Sequence, residues 1–259
     1  VGEVLEKGGH PEVNKRRVVD LQRLHSLYHV LRAARDKRGA IDFETVETRI
    51  LFDENRKIEA IVPVVRNDAH KLIEECMLCA NVATARFFDV NKVPMLYRVH
   101  EGPGEEKLEG LRKFLGELGL DLGGGEKPTP VHYQQLLQQI ADREDAHVIQ
   151  TMLLRSLSQA VYQPENKGHF GLHYDAYAHF TSPIRRYPDL LVHRGIRHLV
   201  RGESQAKGVR RIKGAGSIPA AQIFPYDMHA MVVHGEHCSM TERRADDATR
   251  EVNAWLKCE

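Results

Sequence analysis

The sequence predicts a mixed α/β fold in which helix dominates. Three observations carry that prediction. Long stretches repeat apolar residues at the helical period, and one pair of short β-rich runs flanks an Asp-Glu-Asn turn. Across 259 residues, 42% are hydrophobic and 28% charged, the composition of an ordinary globular chain able to bury one sizeable core or two modest ones. No apolar run approaches the roughly 18 residues of a membrane span, and the start does not read as a signal peptide.

The elements follow in order. Asn14 to Lys37 carries Val18, Leu21, Leu24, Leu27, Tyr28 and Leu31 at helical spacing, and Gly39 is a natural stop. Thr45–Phe52 and Ile58–Val65 read as a hairpin around Asp53-Glu54-Asn55. Asn67 or Asp68 is the expected cap of a long helix reaching about Phe87, and Pro94 to Val99 reads as a short strand. Glu105 to Leu118 forms an amphipathic helix ended by Gly123–Gly125. Thr129 caps a second, through Tyr133 and Ile140, and Glu144 to Tyr162 reads as a third. After a loop at Gln163–Gly171, a helix is expected from Pro183 to about Arg201. Gln205 to Phe224 reads as an exposed connection. Helix resumes from Pro225, with Gly235 as a candidate break. The glycine run precedes Pro128 and lacks the spacing of a phosphate-cradling loop.

Net charge is only +1, but it is unevenly spread. Thr181 to Ala215 holds nine Lys/Arg against two acids, and Glu101 to Lys127 holds seven acids against four Lys/Arg. A basic stripe on a neutral chain is compatible with phosphate binding and equally with a solvated helix face. The four cysteines suit a reducing compartment: Cys76 and Cys79 share one helix, and Cys238 and Cys258 supply no second pair at zinc spacing. His169, His173, His179 and His193 match no metal-ligand spacing either.

The densest chemistry lies in His179 to Arg194, HFTSPIRRYPDLLVHR. Ser182 and Pro183 read as the cap and first position of the helix, which places Arg185 and Arg186 in its first turn. Cations are disfavoured at that end of the helix dipole, and an anion would resolve the mismatch by meeting both guanidinium forks and free amides.

This run resembles the signature of the ribonuclease II/ribonuclease R family of 3′→5′ exoribonucleases. So do Arg38 to Phe43, Ile73-Glu74-Glu75 leading to Ala80-Asn81, Arg98-Val99-His100, and Glu236 to Ala248, in the family's order. The Arg-Tyr-Pro-Asp and Thr-Glu-Arg-Arg-Ala-Asp-Asp-Ala runs lean towards its ribonuclease R branch. The resemblance implies that residues 1–259 are the C-terminal part of a ribonuclease II-type catalytic domain, ending before an S1 domain. It implies a cytoplasmic, processive hydrolase that takes the 3′ end of single-stranded RNA and releases nucleoside 5′-monophosphates with Mg²⁺.

By the same resemblance Arg185 is the catalytic arginine that contacts phosphate. Arg186, Glu74, Glu75, Tyr187 and Ser182 are candidate RNA contacts. Each has a plainer reading: a surface role for Arg186, an ion pair for Glu74 and Glu75, core packing for Tyr187 and capping for Ser182. The family's metal-binding aspartates, spaced D-x5-D-x-D-D, have no counterpart here. Asp246-Asp247 is the only adjacent pair and lies in a helical charge run. The chain therefore reads as the phosphate-handling half of a catalytic domain without its metal-handling half, or alternatively as a non-catalytic RNA-binding relative.

Overall fold

Helices carry most of this structure, a computed structural model describing residues 1–8, 15–43, 48–64, 66–201 and 220–258. A short helix α1 (Gly2–Lys7) precedes α2 (Lys15–Arg38), which stops at Gly39 because the backbone turns left-handed there (φ 80°). Strands β1 (Thr48–Phe52) and β2 (Ile58–Pro63) form the expected antiparallel hairpin. Its turn is tied by Asp53, whose carboxylate accepts the Asn55 and Lys57 amides, both at 2.8 Å. The outer parts of that prediction, Thr45 to Glu47 and Val65, lie outside the described residues.

Helix α3 (Asp68–Asn91) starts where Asn67 accepts the amides of Ala69 and His70 and runs four residues past the expected end. Strand β3 (Tyr97–Val99) follows. Then α4 (Glu105–Glu117), α5 (Pro130–Gln139) and α6 (Ala146–Ser156) interlock through Leu111, Leu115, Tyr133, Ile140, Ile149 and Leu153, all at most 2% exposed. The third predicted helix was to continue to Tyr162, and here the structure differs. The Ser158 hydroxyl donates to the Gly102 carbonyl (2.7 Å), and the Ser158 carbonyl accepts from His100 Nε2 (2.8 Å). These tertiary bonds pull the chain out of helix, and Val161–Gln163 becomes strand β4, antiparallel to β3.

Helix α7 (Tyr187–Arg201) packs on α3 where Gly195 leaves room for the Phe88 ring. A single turn, α8 (Ala220–Ile223), leads to α9 (Met228–Leu256). The predicted connection, Gln205 to Phe224, lies outside the described residues up to position 219. Gly235 does not break α9. A Cβ at that position would sit 2.6 Å from the Tyr162 carbonyl, so glycine is what lets the helix lie against β4. A second core, of Leu96, Tyr162, Leu191, Phe224 and Met231, joins β3, β4, α7 and α9.

Candidate functional site

The His179–Arg194 run folds differently from its prediction in one respect. The helix begins at Tyr187, not Pro183, and residues 183–185 form a turn before it. Asp189 explains the delay. Its carboxylate, fully buried on α7, accepts the Ser182 amide and the Arg186 guanidinium, both at 2.7 Å, and so folds the turn back over the helix start. The amides of Arg185 and Arg186 donate to the Ser182 carbonyl (3.3 and 3.1 Å), so they are not free to meet an anion. Ser182 thus braces the turn with its backbone; its hydroxyl makes no hydrogen bond among the described residues.

Arg185 projects from this braced turn. It is exposed, and its guanidinium makes no hydrogen bond or ion pair among the described residues. With Tyr162, Arg186, Tyr187, Glu242 and Asp246 it lines a cavity of about 390 Å³ between the turn and α9. Glu242 is already matched: Arg98 of β3 donates to it at 2.6 Å while lying 4.5 Å above the Tyr162 ring. With Glu242 held by Arg98, Arg185 keeps a positive charge at the rim, available to an anionic ligand.

Tyr187 does not pack in the core. It is 41% exposed at the cavity rim, its ring against His234 and its hydroxyl 3.4 Å from that of Tyr226. That contact, together with burial, pushes its pKa up to about 12. Beneath the turn, His179 Nδ1 meets the Tyr162 hydroxyl at 2.8 Å. Burial, with Arg186 and Arg98 nearby, holds the His179 pKa down to about 2, so the ring stays neutral.

Glu74 and Glu75 belong to a different cavity, of about 450 Å³, which shares no lining residue with the first. Arg35 of α2 organises it. One nitrogen donates to Glu75 (2.9 Å) and to Glu74 (3.2 Å), and another to Asp42 (3.2 Å). Arg32 also pairs with Asp42, and Arg66 with Glu74. Burial tends to lower the Arg35 pKa, but Asp42, Glu75 and Glu74 outweigh it and the group is held more firmly charged. The ion-pair reading of both glutamates is therefore real; Glu75 is buried and Glu74 half-exposed.

Arg35, Arg98 and Glu242 were not picked out individually from the sequence. Arg35 had a signal: it falls one step beyond Tyr28 and Leu31 on the apolar stripe of α2, where a cation requires buried acids. Asp246 and Asp247 are on α9, and Asp247 pairs with Arg250, as a helical charge run predicts. The cysteines are free. Among the described residues no helix is long and apolar enough to cross a membrane.

The comparison with known families turns on one match: the profile of the RNB domain aligns with residues 1–202. The chain belongs to the RNB family. Ribonuclease R of Vibrio cholerae is 56% identical over 262 residues, taking in 100% of this chain and 31% of that protein. Ribonuclease R of Escherichia coli is 52% identical over 93% of this chain and 29% of its own length. The chain thus spans about three-tenths of these curated relatives. Mycoplasma genitalium RNase R in complex with ribose methylated single-stranded RNA superposes with a TM-score of 0.84 at 26% identity, covering 99% of this chain and 38% of that one. The helix-rich α/β architecture is that of the RNB domain.

Proposed function

We propose that this RNB chain is the phosphate- and RNA-contacting part of a hydrolytic 3′→5′ exoribonuclease that releases nucleoside 5′-monophosphates in the cytoplasm. The observation that carries the reading is Arg185: an exposed guanidinium, unpaired among the described residues, on a turn pinned by a buried carboxylate, at the mouth of a cavity. The braced turn fixes where the Arg185 side chain starts, and its guanidinium can reach the charge that grows as the bond breaks. Arg186 is committed to Asp189 and braces the turn, adding its charge to the local field. Tyr187 offers a half-exposed ring on which a base can stack. Of the two glutamates, Glu74 is the more accessible to ribose hydroxyls.

The RNA complex of the Mycoplasma relative supports single-stranded RNA as the ligand class. Helix α9 lies beyond the matched residues yet packs on β4, which supports a single domain extending through it. When bound in such an enzyme, Mg²⁺ activates water and neutralises the scissile phosphate. The described residues do not fit that role here. Glu242 is held by Arg98, and no group of three potential ligands converges on the Arg185 cavity. No step is therefore assigned to metal ligands in this chain.

In a full-length protein carrying this chain, Arg185→Ala is expected to lower turnover by about 10²–10³-fold, the scale for losing one charge-stabilising donor. RNA affinity should fall much less. Single-turnover cleavage and fluorescence anisotropy on the same RNA separate the two. Equal losses would contradict the transition-state role.

A further inference from the structure

The contact between α2 and α3 holds a cluster that the RNA site does not use. His25 and His29 stand one helical turn apart on α2, facing Asp68, the first residue of α3. One ligand atom from each lies within 4.8 Å of the others. His25 Nε2 is 3.0 Å from Asp68 Oδ2, and the two imidazole centroids are 4.5 Å apart.

We propose that His25, His29 and Asp68 bind a divalent transition-metal ion of the Zn²⁺ class, which clamps α2 to α3. Two imidazoles and one carboxylate are a zinc-type donor set, whereas Mg²⁺ and Ca²⁺ select all-oxygen sites. With metal–ligand bonds of about 2.0–2.1 Å, neighbouring ligands of a tetrahedral ion stand about 3.3 Å apart. The His25–Asp68 pair already has nearly that separation. His29 is exposed and can turn in, which leaves a fourth position open to solvent.

The supports are rigid. Asn67, not Asp68, caps α3, so the Asp68 carboxylate is left for His25. The buried Tyr28 ring lies parallel to the His25 ring (6.0 Å) and borders the His29 ring (5.2 Å). A simple hydrogen bond between helices accounts for His25 and Asp68. His29 stands beside that pair because it is one helical turn on from His25, and with no hydrogen bond of its own among the described residues it is available as a third ligand. Tyr28 also lines the Arg35–Glu75 cavity, so a bound ion would stiffen the helix pair that frames it.

The test is calorimetric titration of the full chain with Zn²⁺, alongside His29→Gln and Asp68→Asn. The chain holds 15 histidines, so the readout is the difference between proteins. His29→Gln alters an exposed side chain and leaves the His25–Asp68 bond in place, so it should fold. The wild-type chain is expected to bind one more equivalent than either variant, or to bind at least about tenfold more tightly. Zn²⁺ should raise its melting temperature and not that of His29→Gln. Equal stoichiometry, affinity and thermal shift in wild type and His29→Gln would overturn the proposal.

Discussion

Arg35 occupies the place where the apolar stripe of α2 would put another leucine, and three acids gather around it. Breaking a buried pair from one side leaves the other charge without its partner in a poorly solvated place. Glu75→Ala is therefore expected to destabilise the fold by about 3 kcal/mol, the lower end for such a loss because Asp42 and Glu74 still touch Arg35. Urea denaturation measures it; a change under about 0.5 kcal/mol would place the pair with ordinary surface ion pairs. At this scale the sequence places Arg185 in the first helical turn beside free amides, whereas the structure puts it on a turn before α7 with its amide bonded to the Ser182 carbonyl, so only its exposed guanidinium is left to call for an anion. Asp189, an early-helix carboxylate able to orient an arginine, takes Arg186 and is fully buried once α7 is docked. Tyr187 misled for a related reason: an aromatic beside an apolar helix usually packs inward, and here Pro188 and Leu191 take the buried positions.

At the scale of elements, periodicity located α2, α3, α4 and α5 closely because each carries a long apolar face and a cap or a glycine stop. It overran at α6, where Leu157 and Val161 continue the helical spacing while Ser158 is drawn into bonds with Gly102 and His100, both distant in sequence. It faltered at Gly235, where glycine marks a close approach of helix to strand rather than a break. Gly235→Ala tests that reading. The added methyl must displace a backbone carbonyl rather than a side chain, so α9 and β4 should separate at a cost of about 1–3 kcal/mol, lowering the melting temperature. An unchanged melting temperature would mean that the helix does not lie so close. The cavity beneath Arg185 has α9 as one wall, so the same variant should also weaken RNA binding.

At the scale of the whole molecule, one cluster of the interior is built on histidines held neutral by burial. His100, His169, Tyr177 and His179 stack edge to face at 4.9, 5.1 and 5.7 Å. His100 donates from Nε2 to the Ser158 carbonyl and accepts the Gly171 amide at Nδ1, which the neutral ring alone can do. Burial holds His169 down to about 3 and His179 to about 2, and lowers His100 as well. Folded values below the unfolded one of about 6.5 give stability that is complete above that pH and lost as pH falls through it. The melting temperature should be level above about pH 7 and fall below about 6.5, each histidine contributing up to about 1.4 kcal/mol per pH unit. A flat profile down to about pH 4 would show that these rings are solvated.

The proposed function divides the labour of hydrolysis: Arg185 and its cavity would meet RNA, while no D-x5-D-x-D-D cluster occurs in the sequence and no group of three potential metal ligands converges on that cavity among the described residues. Incubating the folded 259-residue chain with 5′-labelled single-stranded RNA and Mg²⁺, followed on a denaturing gel, tests it most directly. RNA of unchanged length is expected, retarded on a parallel native gel by wild type and less so by Arg185→Ala. Progressive shortening to a small end product would place the catalytic carboxylates within this chain and overturn the proposed division.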